Sequence, residues 1–200
     1  MAVEKRILTD AMQTFRIEAE TLAETAKVLD AEAFGRAVEV LSKAPRIAAA
    51  GCGHTGIACR HFAHLMCCIE RPARFLSPAE AVHGGMGFLQ PGDVMLLASR
   101  GGKTDELMPI ADICRKKGVT VIAVTENLSS PLAEKADIVL AMKVTRECDP
   151  YNCQGTTSFA VTCAIFDALQ VAVLEHTGFR NEEFAVIHPH GAVGKRLNQK

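Results

Sequence analysis

Two carboxylates and two imidazoles in this sequence are of the type that moves protons, and one short loop is of the type that holds an anion. The carboxylates are Glu106 and Glu147, and the imidazoles are His83 and His188. The loop is Ser99-Arg100-Gly101-Gly102-Lys103-Thr104. Its glycines let the backbone turn sharply, so that hydroxyls and the free N–H groups of a following helix face one point. A helix N-terminus carries about half a positive charge, which suits an anion, and a phosphate ester is the commonest small one. Above a bound phosphate, one carboxylate and one or two imidazoles suffice to move protons on a phosphorylated sugar. A desolvated carboxylate takes the hydrogen next to a carbonyl and returns it to the neighbouring carbon, while imidazole serves the oxygens. Each residue also has an ordinary reading: Glu106 as a first-turn partner of a helix dipole, His83 as a solvated loop histidine. The residues alone point to a phosphate ligand and stop short of a reaction.

The elements that would position them alternate. Ile7, Ala11, Phe15, Ala19, Leu22, Ala26 and Leu29 form one apolar stripe, which predicts a long helix of about 27 residues, longer than one small domain covers. A part of it is therefore expected against another subunit. A second helix, Ala31 to Lys43, ends before Pro45. Strands follow at Arg46 to Ala50, Ala73 to Leu76, Val94 to Ala98, Val119 to Val124 and Ile138 to Met142. Helices separate them, from the Gly51-Cys52-Gly53-His54-Thr55-Gly56 loop to about Ile69, at Ser77 to Glu80, from Asp105 to Lys117, and after the Ser130-Pro131 cap. Gly84, Gly85 and Gly87 make the surroundings of His83 loop-like. A polar loop from Thr145 to Thr157 precedes an apolar helix from Ser158 to His176, stopped by Gly178. Asn181 to Phe184 reads as a short helical turn, and HPHGAVGKRL closes the chain. Strand–helix alternation with short loops means a parallel sheet covered on both faces, with ligands outside the carboxyl ends of the strands. Thr55, Ser99, Thr104, Glu147, Thr156, Thr157 and Ser158 then share one rim. The GCGHTG loop invites a dinucleotide reading, discounted because its spacing is read as departing from G-x-G-x-x-G and because no acidic residue ends the second strand to bind a ribose.

The totals exclude several classes. With 48% hydrophobic and 22% charged residues, the 200-residue chain is an ordinary globular protein with room for one core. A net charge of −1 gives no reason to expect nucleic acid or an anionic membrane. No apolar run is read as approaching the ~20 residues of a membrane span, and MAVEKRILTD lacks a signal-peptide core, so a cytoplasmic protein is expected. The eight cysteines contain no CxxC pair and lie mostly in apolar surroundings, where they behave as small hydrophobes. His61 and His64 have no third ligand at zinc spacing. No metal and no cofactor is expected.

From Arg46 to Leu197 the sequence resembles the sugar isomerase (SIS) domain, most closely that of arabinose-5-phosphate isomerases. The resemblance is carried by SPAEAVHGGMGFLQPGDVMLLAS, SSPLAEKADIVLAMKVTREC, DALQVAVLEHTGF and EEFAVIHPHGAVGKRL. It implies a Rossmann-like three-layer α/β fold: a five-stranded parallel sheet flanked by helices, with an N-terminal helical extension. Residues 1–44 would be helices of the same domain available for oligomer contact, and residues 45–200 the SIS domain, without CBS modules. It further implies aldose–ketose isomerisation of a sugar phosphate, in sites built between subunits of a homo-oligomer, a tetramer or a dimer. By position, proton-transfer and ring-opening roles fall on His83, Glu106, Glu147 and His188. Phosphate-binding roles fall on Gly53, Thr55, Ser99, Arg100, Gly101, Gly102, Lys103 and Thr104, with Thr156, Thr157 and Ser158 nearby. Three positions depart from the pattern. His54 stands where the family has a lysine, Ser99-Arg100-Gly101-Gly102-Lys103 where it has S-N-S-G-E, and Gly85 where it has an aspartate. Arg100 and Lys103 are expected to offset the lost hydroxyl by charge. A non-catalytic sugar-phosphate sensor is the alternative.

Overall fold

In a computed structural model that describes residues 2–198, the alternation resolves into one all-parallel sheet of five strands. They are β1 (Ile47–Ala50), β2 (Ala73–Phe75), β3 (Val94–Ala98), β4 (Thr120–Thr125) and β5 (Ile138–Ala141), in the order β2-β1-β3-β4-β5. Each lies within one residue of its expected bounds. Met1, Gln199 and Lys200, which the expected segments 1–44 and 45–200 include, lie outside the described residues.

Strand residues alternate between two cores because side chains of a pleated strand point to opposite faces. Ile47, Ala49, Val94, Leu96, Ile122, Val124 and Leu140 meet α2 (Ala31–Lys43), α3 (Gly53–Cys67) and α7 (Thr157–Thr177). Ala48, Ala50, Met95, Leu97, Val121 and Ala123 meet α4 (Pro78–Ala81), α5 (Met108–Lys117) and α6 (Pro131–Lys135). The chain leaves β1 for β2 on one side and comes back to β3 on the other. The connections therefore diverge above β1 and β3, the place where open α/β sheets bind ligands.

Three expectations are corrected. The long helix α1 (Ala2–Val28) forms, and its expected stripe meets the domain only in the C-terminal half: Leu22 and Leu29 pack against the core beside the buried Ile17, Thr21 and Thr25, while Ile7 and Phe15 are exposed. Hydroxyls decide the docking. Thr21 Oγ1 bonds Thr145 Oγ1 at 2.7 Å, and Thr25 Oγ1 donates to the Lys143 carbonyl at 2.7 Å, pinning α1 to the chain that leaves β5. Second, the 21-residue α7 is long and apolar enough to cross a membrane by length and composition. In the fold it is a core helix whose Val161, Ile165, Phe166, Leu169 and Val173 are buried. Third, the closing segment is helical, as α8 (Asn181–Ile187) and α9 (Gly191–Asn198). Gly194 lets α9 close on the turn: a Cβ there would lie 2.2 Å from the His188 carbonyl oxygen.

Candidate functional site

Beyond β3 the chain folds the expected anion loop back on itself. Ser99 Oγ and Thr104 Oγ1 are 2.8 Å apart, and the Gly102 N–H donates to Ser99 Oγ at 3.1 Å. Gly102 is obligatory here. Its φ is +63°, and a Cβ would sit 2.0 Å from Ser130 Oγ, the side chain that caps α6 by accepting from the Ala133 N–H. Gly101 and Lys103 are exposed on the outside of the loop. The expected first helical turn over Asp105 and Glu106 is a 3-10 turn, Asp105–Leu107, and the α-helix starts at Met108. Pro109, in that helix's first turn, has no N–H to give.

Arg100 leaves the loop sideways. Its Nε donates to Glu126 Oε2 at 2.9 Å, its Nη1 to Glu147 Oε1 at 2.9 Å and its Nη2 to the Val144 carbonyl at 3.3 Å. One guanidinium thus joins the tips of β3, β4 and β5. Glu147 is 3% exposed. Its second oxygen accepts from the Ser158 N–H at 3.1 Å at the start of α7, where a carboxylate suits the helix dipole. Thr156 Oγ1 lies 3.4 Å from the same oxygen, and the backbone N–H of Glu147 donates to Asn152 Oδ1 at 2.6 Å. Thr157 is buried, with its hydroxyl 3.1 Å from the Cys148 sulfur.

The α7 N-terminus also receives His54, from the first turn of α3 just past the β1 loop. Its ring meets Phe159 edge-on at 6.3 Å, and a Cβ on Gly155 would fall 2.9 Å from its Nδ1. Thr55, next to it, is half-buried. On the other side of that loop a cavity of about 400 Å³ is lined by Gly51, Cys52, Gly53, Ser77 and Glu106 among others. Burial pushes the Cys52 thiol up from its ordinary value, and the charge of Glu106 adds to this. His83 is exposed after α4, ahead of a 3-10 turn at Gly85–Phe88. At Gly85, where the resemblance has aspartate, a Cβ would lie 2.7 Å from the Glu80 carbonyl oxygen. No side chain fits this backbone.

His188 lies elsewhere. It stacks on Phe184 at 4.7 Å and shares a cavity with His64, Cys67, Cys68 and Glu70, at the carboxyl end of α3. The 15 residues of α3 put that end roughly 20 Å from the rim where the helix begins. Within one chain, then, the rim gathers Ser99, Arg100, Gly102, Thr104, Glu147, Thr156 and Ser158, with His54 beside them and Gly53 and Glu106 in the adjoining cavity. His188 is outside it. The sequence singles out Ser130 only as a helix cap and does not single out Glu126, Asn152 or Phe159; Glu126, the first residue past β4, carries the one usable signal, a carboxylate at a strand tip. The loop Gly51 to Gly56 does have dinucleotide-type glycine spacing, but β2 ends in Phe75 followed by Leu76 and Ser77, with no acid for a ribose. All eight cysteines are free thiols, and among the described residues no three His, Cys, Asp or Glu side chains cluster as a metal site.

Residues 40–172 match the SIS domain. The chain belongs to the SIS-domain family. It is 33% identical over 196 residues to the arabinose 5-phosphate isomerase KpsF of Escherichia coli, covering 98% of this chain and 62% of that protein. A solved Listeria monocytogenes protein, proposed to be a sugar-phosphate isomerase, superposes with a TM-score of 0.90 at 40% identity, covering 93% of this chain and 98% of the other. The E. coli CFT073 protein c3406, solved in complex with arabinose 5-phosphate, superposes with a TM-score of 0.87 at 25% identity, covering 92% and 98%. This chain thus spans about three fifths of the length of the KpsF relative. In this SIS domain the strand-tip rim at β1 and β3 is the candidate site.

Proposed function

We propose that this SIS domain is an aldose–ketose isomerase of a phosphorylated sugar, with arabinose 5-phosphate and ribulose 5-phosphate as the first pair to test. The observation that carries the reading is Glu147, a 3%-exposed carboxylate tied by Arg100 to the Ser99–Thr104 loop. The similarity to KpsF, and to a protein that binds arabinose 5-phosphate, supports it. The Ser99–Thr104 loop, with Thr55 and Gly53 beside it, holds the phosphate through hydroxyls and backbone N–H groups. Lys103 and the Thr156–Ser158 segment add charge and further donors. Glu147 removes the proton from the carbon next to the aldose carbonyl, giving a cis-enediol, and returns it to the neighbouring carbon to give the ketose. No proton is gained or lost overall. His83 and His188 serve ring opening and the oxygens, Glu106 orients them, and His54 takes the position of the family lysine. A step of this kind contributes about 10²–10⁴-fold. Because His188 sits at the far end of α3, it would serve the site of a second copy, making the working unit a homo-oligomer.

One observation favours a second reading. Both oxygens of Glu147 are engaged in the free chain, as befits a strut in a non-catalytic sugar-phosphate sensor. Incubation with a sugar phosphate in D2O separates the two. An isomerase incorporates deuterium next to the carbonyl, and Glu147→Gln abolishes this while binding persists. Exchange at the normal rate in Glu147→Gln removes Glu147 as base, and binding without exchange by the unaltered protein establishes the sensor.

A further inference from the structure

Arg100 stands inside the loop expected to hold phosphate, yet its side chain is spent on two carboxylates. Nε and Nη1 each donate at 2.9 Å, to Glu126 and Glu147 respectively. The Arg100 side chain is 36% exposed, whereas the Glu147 side chain is only 4% exposed. A carboxylate so enclosed is costly to keep charged without a partner, and Arg100 is the cation on it. The pairing also fixes its direction. With Oε1 on Arg100, Oε2 is left aimed at the Ser158 N–H. That N–H lies in the first turn of α7, where amides have no intrahelical acceptor, so Glu147 is its partner. Oε1 keeps a second lone pair for a substrate proton. Glu126 completes the clamp from the other side: its Oε1 accepts from the Val144 N–H at 3.0 Å, holding the segment after β5 that leads to Glu147. The Arg100 carbonyl in turn accepts from the Glu126 N–H at 2.9 Å and from Thr125 Oγ1 at 3.0 Å. Loop, guanidinium and carboxylate form one rigid path.

We infer that Arg100 is the positioning residue for Glu147, tying the candidate base to the loop that would hold the substrate's phosphate. The inference rests on the isomerase reading above for its kinetic consequence, and on geometry alone for the structural one. Three forms of the 15N-labelled full chain test it: the protein as it is, Arg100→Met and Arg100→Lys. In Arg100→Met the Ser158 amide loses its acceptor, so its protection from hydrogen exchange falls about tenfold or more, the loss expected for a charge-assisted contact. With arabinose 5-phosphate, kcat falls by about tenfold or more while KM moves less than about threefold. Arg100→Lys restores the charge but not the fork across two carboxylates, so it recovers only part of either quantity.

An unchanged Ser158 amide in Arg100→Met overturns the proposal, whatever the kinetics. A loss confined to KM also overturns it, since Arg100 would then be a phosphate ligand. If Arg100→Met fails to fold, Arg100→Lys decides: a Ser158 amide as protected as in the unaltered protein refutes the fork. If the unaltered protein turns over no sugar phosphate, the isomerase reading fails, and the Ser158 amide still tests Arg100's hold on Glu147.

Discussion

Gly102→Ala is the substitution on which the geometry of the anion loop can be tested most sharply. Position 102 combines φ of +63° with a Cβ site 2.0 Å from Ser130 Oγ, 2.4 Å from Ser130 Cβ and 3.0 Å from Thr125 Oγ1. A left-handed non-glycine residue costs about 1–2 kcal/mol. Forcing a methyl into a filled space costs about 1–3 kcal/mol more. The struck atom belongs to a buried cap, because Ser130 Oγ accepts from the Ala133 N–H at 3.3 Å, and losing a cap adds about 0.5–2 kcal/mol. Allowing for partial relaxation, the sum is about 2–5 kcal/mol. In a domain of this size that corresponds to a fall in Tm of roughly 5–15 °C. Gly101→Ala is the matched control: nothing lies within 4 Å of its Cβ site and its φ is not left-handed, so its stability stays within about 0.5 kcal/mol. Urea unfolding followed by circular dichroism reads both. Ser130→Gly removes the two nearest struck atoms, so the double variant should recover about 1–3 kcal/mol of the Gly102→Ala loss as a coupling energy. Equal midpoints for the two alanine variants, or strict additivity in the double, would refute the loop conformation.

The other predictions concern groups outside the loop. Asp93 is fully buried at the amino end of β3, accepting from the Arg46 N–H at 3.1 Å, Arg46 Nε at 2.8 Å and the Gln90 N–H at 2.6 Å. Asp93→Ala is expected to cost about 2–4 kcal/mol in urea unfolding without altering the candidate site at the other end of the strand; a loss below about 1 kcal/mol would contradict this role. Burial pushes the Cys114 thiol from 9.0 up to about 12, with the charge of Asp137 adding and that of Lys117 opposing. Between those values the unfolded chain releases the thiol proton and the folded chain keeps it. Stability therefore stands in full below pH 9 and declines as pH rises toward 12, by up to about 1.4 kcal/mol per unit. Urea midpoints measured from pH 8 to 10.5 should fall less steeply in Cys114→Ala; an identical slope would remove Cys114 from the account.

What the sequence determined by itself was local. Short apolar runs such as Val94 to Ala98, too short for a buried helix and set between turn signals, read as strands covered on both faces, and Ser130-Pro131 announced a helix start that the Ser130–Ala133 hydrogen bond provides. From strand–helix alternation the parallel sheet followed, because right-handed crossovers leave few alternatives. Periodicity was ambiguous where a helix has more than one plausible face. α1 meets its domain through Leu22 and Leu29 of the stripe together with Ile17, Thr21 and Thr25, whose hydrogen bonds to the Lys143–Thr145 segment no periodicity displays, while Ile7 and Phe15 stay exposed.

Only the tertiary structure decided what the charges do. Residues 100, 126 and 147 are far apart in sequence, and nothing in their local pattern says that one guanidinium spans both carboxylates. Nor does spacing reveal that His188, within IHPHG, sits at the opposite end of α3 from Glu147, or that Gly85 has a carbonyl where a side chain would go. Element identity depends on neighbours a few residues away, which the sequence displays. Ion pairs and close backbone approaches depend on which strand tips lie side by side, and the order β2-β1-β3-β4-β5 is a property of the folded sheet.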